Sequence, residues 1–150
     1  MTEKEAYIHK WIQEVSKNRP ELGGFAVCPY ASNSKYKIVE CQIDDIEPIE
    51  GYDVVIFIVE DYHSVEDILD WVESYNKIWE EWEFYADCAE KITFVGEIQS
   101  NNGLYNLILA QPKELLKNFR EILGKTKYYD YWDDDYMREI LGDDYELIKK

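Results

Sequence analysis

A run of six apolar residues, Val54–Val59, constrains the fold of this chain most strongly. Every residue in the run is β-branched or aromatic, which favours a β-strand. Both faces of this strand are apolar, whereas a strand with one face in water alternates apolar and polar side chains. We therefore expect Val54–Val59 to lie in the middle of a sheet covered on both faces, or in a strongly curved sheet.

Spacings of three and four residues between apolar side chains predict the helices. Thr2-x-x-Glu5 is a capping box and opens an amphipathic helix that ends by Asn18. Ser64 is the expected N-cap of the longest helix, whose aromatic-rich apolar stripe runs from Ile68 to Tyr85. Two further helices are expected near the C-terminal end, one after Pro112 and one beginning at Asp133-Asp134-Asp135.

Three further strands complete the predicted sheet: residues 36–43, 92–98 and 104–110. The last two flank Asn102-Gly103, a turn signal that predicts a hairpin. The element order is therefore αββαββαα. This order predicts one α+β domain over residues 1–150, with a mainly antiparallel four-stranded sheet and helices packed on it in a permuted ferredoxin-like arrangement. The last two helices are expected to cover the other sheet face or an edge.

The charge balance excludes one class of function. The chain has 32 Asp and Glu against 16 Lys and Arg, a formal net charge of −16. Such a field repels a phosphate backbone, so we expect no direct nucleic-acid binding. No apolar stretch is long enough to cross a bilayer, so no membrane partner is expected. An odd count of three cysteines without a secretory signal favours reduced thiols and a cytoplasmic location.

The most distinctive motif is Cys28-Pro29. This pair resembles the reactive thiol site of redoxin-type proteins, where backbone N–H groups, typically at a helix N-terminus, stabilise the thiolate. Ala31 occupies the position of a resolving cysteine, and the closest cation in sequence is Lys35. The alternative is a buried structural cysteine in a packed loop, since cysteine is among the most buried residue types.

The segment around Cys28 resembles a bacterial family of unknown function. Members of that family open with an amphipathic, Trp-containing helix followed by a Gly-x-x-x-Cys-Pro-Phe/Tyr-Ala loop. Trp11 and the run Gly24-Phe25-Ala26-Val27-Cys28-Pro29-Tyr30-Ala31 match this pattern. The resemblance extends over about half of the chain, to Val54–Val59 and the following helix. It implies a shared fold and a structural or reactive role for Cys28-Pro29, but no known reaction.

Two further residues accompany Cys28 as candidate catalytic groups. His63 and Glu60 follow the apolar strand, and strand ends are where α/β proteins often place ligands. With Asp61 they suit a small metal or acid–base site. The alternative is that His63 is an exposed turn residue.

Acidic residues suggest two more interpretations. The carboxylates within residues 130–135 are oxygen ligands of the kind that Ca²⁺ prefers, but an EF-hand needs Gly at its sixth position, where Asp135 stands. Helix-capping acids are the alternative. The overall charge suits either solubility or a surface that imitates DNA phosphates and binds a basic protein.

The sequence thus supports three hypotheses of function. The first is a small acidic protein that acts as a thiol-dependent enzyme or redox domain through Cys28, without an indicated cofactor. The alternative is a non-enzymatic acidic protein that binds a basic partner. The third is a small-molecule-binding domain whose aromatic pocket is built from the following residues: Tyr30, Trp71, Trp79 and Trp132.

Overall fold

The computed structural model describes residues 1–29 and 34–149. Its central strand is β2 (Val54–Val59), in which all six residues are buried. Within the sheet, β2 pairs on both sides, with one strand in parallel and with another antiparallel. The prediction of a central strand covered on both faces is confirmed.

The four-stranded sheet is mixed. Its strands are β1 (Tyr36–Cys41), β2, β3 (Trp82–Asp87) and β6 (Leu107–Pro112), in the order β1-β2-β6-β3. A separate two-stranded hairpin consists of β4 (Phe94–Val95) and β5 (Ile98–Gln99). The prediction of a mainly antiparallel sheet is wrong at one edge, because β1 and β2 run parallel. The connection between them, residues 42–53, is long enough for a crossover rather than a tight hairpin.

The helices lie on both faces of the sheet. α1 (Glu3–Val15) packs on the face that carries Ile56 and Leu109, here called the α1 face. α2 (Val65–Ile78) packs on the opposite face, the α2 face, against Phe57 and Phe84. The N-caps predicted for these two helices are confirmed, since the side chains of Thr2 and Ser64 accept N–H hydrogen bonds from Glu5 and Asp67.

The C-terminal part of the chain forms α3 (Lys113–Gly124), α4 (Asp134–Leu141) and α5 (Asp144–Lys149). The sequence predicted one helix where α4 and α5 stand. The break falls at Gly142, whose φ of 52° is a backbone conformation that favours glycine.

Strand β3 corrects the largest error of the sequence interpretation. The helix predicted from Ser64 to Tyr85 ends at Ile78, and the chain turns into β3 at Trp82. The aromatic residues after Trp79 are compatible with helical spacing, but Trp82 and Phe84 also alternate with polar Glu83 and are buried as strand residues.

The hairpin predicted around Asn102-Gly103 is also wrong. The segment 92–98 contains the turn between β4 and β5, and β6 pairs with β2 and β3 instead. Asn102 is buried in a loop that packs against α1, where Tyr7 donates a hydrogen bond to the Asn102 carbonyl at 2.6 Å. The elements together form a single α+β domain, while the permuted ferredoxin-like arrangement remains a prediction. Among the helices of the described residues, none is both long and apolar enough to span a bilayer.

Candidate functional site: a cavity beside Cys28

A cavity of about 220 Å³ lies between the α1 face of the sheet and the helices α1, α3 and α4. We call it the Cys28 cavity. Much of its wall is aromatic or aliphatic, including Trp11 from α1, Leu109 from β6 and Leu116 from α3. Tyr128 and Trp132, from the segment between α3 and α4, complete this wall with their rings 5.9 Å apart. The cavity is therefore mainly apolar.

Strand alternation places polar side chains on one side of this apolar space. Tyr85 and Asp87 occupy alternate positions of β3 and share the face that carries Leu109 of β6. Gln111 of β6 extends the polar group, because the Tyr85 hydroxyl donates to its side-chain oxygen at 2.8 Å. The sheet thus contributes a strip of polar side chains to a mainly apolar cavity.

Asp87 is the charged member of this strip, and no ion pair to it is present among residues 1–29 and 34–149. Its Oδ1 accepts two hydrogen bonds from Asn102, one from the backbone N–H at 2.9 Å and one from Nδ2 at 2.6 Å. Burial raises the pKa of Asp87 to about 6, although the hydrogen bonds from Asn102 act in the opposite direction. The carboxylate is therefore held in a fixed orientation while its charged form remains costly to bury.

Cys28 reaches the cavity from the loop that follows α1. Its backbone N–H donates to the Val15 carbonyl at 2.8 Å, which fixes the loop to the end of α1. The neighbouring Val27 carbonyl accepts a hydrogen bond from Tyr128. Cys28 is an exposed residue of this loop, and it lines the cavity.

The environment of Cys28 favours a neutral thiol. Desolvation of the sulfur by neighbouring protein atoms, followed by the negative charge of Asp87, raises the pKa of Cys28 to about 12. The backbone N–H groups expected to stabilise a thiolate belong to the residues that follow Pro29, and residues 30–33 lie outside the described part of the chain. The motif residues Tyr30 and Ala31 lie outside the described residues.

Arg120 of α3 lines the cavity and is already paired. Its guanidinium donates to both carboxylate oxygens of Glu83, with one of these contacts at 2.9 Å, and to Asp144 at 2.9 Å. The side chain of Arg120 is only 6% exposed. A buried guanidinium held by two carboxylates connects β3, α3 and α5 and does not neutralise Asp87.

His63 and Glu60 are not part of this cavity. Glu60 follows β2 and its backbone N–H donates to the Cys41 carbonyl at 2.9 Å, whereas the cavity is lined by the opposite end of β2, at Val54. His63 bonds through one ring nitrogen to Asp61 at 2.5 Å and through the other to Asp67. The structure therefore places the candidate catalytic residues Cys28, His63 and Glu60 at two separate locations.

The contacts of His63 lead to a pH prediction. Hydrogen bonding to Asp61, followed by that to Asp67, outweighs burial and raises the pKa of His63 above its usual 6.5. A raised histidine pKa stabilises the fold below pH 6.5, and this stabilisation disappears as pH rises through the folded-state pKa. Between pH 6.5 and 8.5 we expect the free energy of unfolding of the wild type to fall by about 1 kcal/mol relative to that of His63→Gln. Urea unfolding of both proteins between pH 6.5 and 8.5 measures the difference, and parallel profiles would refute the assignment.

The remaining candidates have structural roles. Asp133 is the N-cap of α4, and Asp134 pairs with Arg138 at 3.0 Å, so these acids serve the last helices. No three His, Cys, Asp or Glu side chains within residues 1–29 and 34–149 are placed to hold a metal ion.

The aromatic pocket predicted from sequence is only partly assembled. Trp132 lines the Cys28 cavity, whereas Trp71 packs beside Tyr75 on the α2 face and Trp79 is 37% exposed. Tyr30, the fourth predicted member, lies outside the described residues.

Comparisons with protein-family models, with curated proteins and with solved structures found no match. The resemblance of the Cys28 loop to a bacterial family of unknown function therefore remains a prediction. Asp87 was missed because residues 82–85 of β3 were interpreted as the end of a helix. The alternation in residues 82–87, with an acid on the same side as Tyr85, is the signal that could have found it.

Proposed function

We propose that this protein binds a small molecule in the Cys28 cavity, with Cys28 and Asp87 facing the bound molecule. The observation that carries this proposal is an apolar space of about 220 Å³ with a few polar groups gathered on one side. Small-molecule sites combine a mainly hydrophobic wall with a few well-placed polar groups that orient the ligand.

The volume sets the size of the molecule. A buried apolar cavity of about 150 Å³ accommodates benzene. A space of about 220 Å³ is therefore sufficient for an aromatic ring with a short polar chain. Aromatic side chains such as Trp11 and Tyr128 would stack against or surround that ring.

Thiol-dependent catalysis through Cys28 remains a prediction. The raised pKa of Cys28 favours the neutral thiol near neutral pH. Neither His63 nor Glu60 lines the cavity, so neither is placed to act as a general base that deprotonates Cys28. Binding rather than nucleophilic attack is the role that the geometry of Cys28 favours. The acidic protein that binds a basic partner, and the cytoplasmic location, also remain predictions.

Filling the cavity tests the proposal. Leu116 lines it, while its neighbour Leu115 on α3 does not, so Leu116→Trp and Leu115→Trp form a matched pair. With 2-phenylethanol as the probe, we expect calorimetry of the wild type to give a dissociation constant of about 1 mM or tighter.

The two variants should separate clearly in that titration. Leu116→Trp should weaken binding at least about tenfold, which corresponds to about 1.4 kcal/mol, because the indole occupies the site. Leu115→Trp should bind as the wild type does, and circular dichroism verifies that both variants fold. The proposal fails if neither 2-phenylethanol nor its amine or carboxylate analogue shows saturable binding to the wild type, or if Leu116→Trp binds as tightly as the wild type.

A further inference from the structure

The charges around the Cys28 cavity indicate what kind of molecule it takes, an inference that rests on the proposed function above. Asp87, Glu83 and Asp144 are three carboxylates on or next to its wall, against the single guanidinium of Arg120. Both of the ion pairs that Arg120 makes go to Glu83 and Asp144. The cavity wall therefore has an excess of negative charge at Asp87.

Asp87 has unused capacity to accept hydrogen bonds. Both hydrogen bonds that it accepts from Asn102 end on Oδ1. Within residues 1–29 and 34–149, Oδ2 accepts no hydrogen bond, and no Lys, Arg or His side chain described there pairs with Asp87. An ionised carboxylate accepts about four hydrogen bonds, so Oδ2 can still bind a donor.

We propose that the ligand of the Cys28 cavity is a small organic amine, whose ammonium group binds Asp87 Oδ2 and whose apolar body fills the aromatic part of the cavity. A cation offsets the cost of holding Asp87 charged in this apolar environment. The aromatic rings of Tyr85, Tyr136 and Trp11 line the same space and attract a cation electrostatically.

An anionic ligand fits the same space less well. The Asp87 carboxylate would repel it, and the Arg120 guanidinium is already paired with two carboxylates. A neutral alcohol of the same shape would keep the apolar contacts but lose the ion pair with Asp87. Cationic, neutral and anionic ligands of the same shape therefore distinguish the proposal from its alternatives.

Three probes on one frame test the proposal: 2-phenylethylamine, 2-phenylethanol and phenylacetate. Each is titrated into the full chain by calorimetry at pH 7.5. We expect the amine to bind the wild type at least about tenfold more tightly than the alcohol, and phenylacetate to bind most weakly. In Asp87→Asn, which keeps the side-chain shape, the preference for the amine should disappear. In Glu90→Gln, which removes the same charge from an exposed neighbour that does not line the cavity, it should persist.

The outcomes separate this proposal from the function on which it rests. If the alcohol or phenylacetate binds the wild type as tightly as the amine, the cavity is a ligand site but the amine assignment is wrong. An amine preference that survives in Asp87→Asn, or that is equally lost in Glu90→Gln, also overturns the role of Asp87. If none of the three probes binds the wild type, both proposals fail. The wild-type comparison decides the charge preference even if Asp87→Asn does not fold.

Discussion

Replacing Arg120 by methionine is expected to lower the free energy of unfolding by about 3–5 kcal/mol. The substitution keeps an unbranched side chain of similar length but removes the cation between Glu83 and Asp144. Glu83 and Asp144 are each about one-fifth exposed, at 20% and 21%, so water only partly replaces the lost guanidinium. Urea unfolding at pH 7, followed by circular dichroism, measures the loss.

Two comparisons test whether the uncompensated charges cause this loss. The triple variant Arg120→Met, Glu83→Gln, Asp144→Asn should regain most of the stability, because it leaves no unpaired carboxylate around position 120. Arg138→Met is the matched control. Arg138 pairs with Asp134 at 3.0 Å on the surface, where its side chain is 59% exposed, so its removal should change stability little. Equal effects of Arg120→Met and Arg138→Met would contradict the account of the Arg120 network.

The second large effect is expected at Asn102. Its side chain makes four hydrogen bonds, to Asp87 Oδ1, to the Tyr105 carbonyl, and from the backbone N–H groups of Leu104 and Tyr105. Asn102→Ala removes all four in a residue that is 6% exposed. We expect a loss of about 2–4 kcal/mol, because partly buried partners lose their hydrogen bonds.

The same variant should also change Asp87 itself. The Asn102 side chain lowers the pKa of Asp87, so Asn102→Ala should raise that pKa above its value of about 6. Carbon-13 NMR of the Asp87 carboxyl group measures this shift. Asn118→Ala, which changes an exposed asparagine of α3, is the control and should leave both stability and the Asp87 pKa nearly unchanged. If the Asp87 pKa in Asn102→Ala equals that of the wild type, the Asn102 side chain does not stabilise this carboxylate.

Local patterns predicted the parts of the fold that depend on neighbouring residues. The apolar run of β2 and the caps at Thr2 and Ser64 are short-range signals, and the structure confirms them. Strand β3 was missed because its aromatic residues continue a helical spacing, and only pairing with β6 decides between helix and strand. The parallel pairing of β1 with β2 is likewise a long-range choice that no residue in either strand encodes alone.

The site was predicted only in part, because some of its residues are marked by local motifs and others only by long-range contacts. The sequence singled out Cys28, whose Cys-Pro motif is local, and the structure places it in a cavity. Asp87 and Arg120 become meaningful only through contacts with distant residues, with Asn102 for one and with Glu83 and Asp144 for the other. His63 lies away from Cys28 because it follows the C-terminal end of β2, whereas the Cys28 cavity is lined by Val54 at the other end of this strand. Sequence spacing gives no information about that separation.

The indole N–H signals of the five tryptophans test the central claim, a ligand site beside Cys28, most directly. Trp11 and Trp132 line the cavity, whereas Trp71 and Trp82 pack on the α2 face and Trp79 is partly exposed. In a nitrogen-15 NMR titration of the full chain with 2-phenylethylamine, the signals of Trp11 and Trp132 should shift with saturation. The other three signals should stay in place. Shifts confined to Trp71, Trp79 or Trp82, or no saturable shift of Trp11 and Trp132, would contradict a ligand site in the Cys28 cavity.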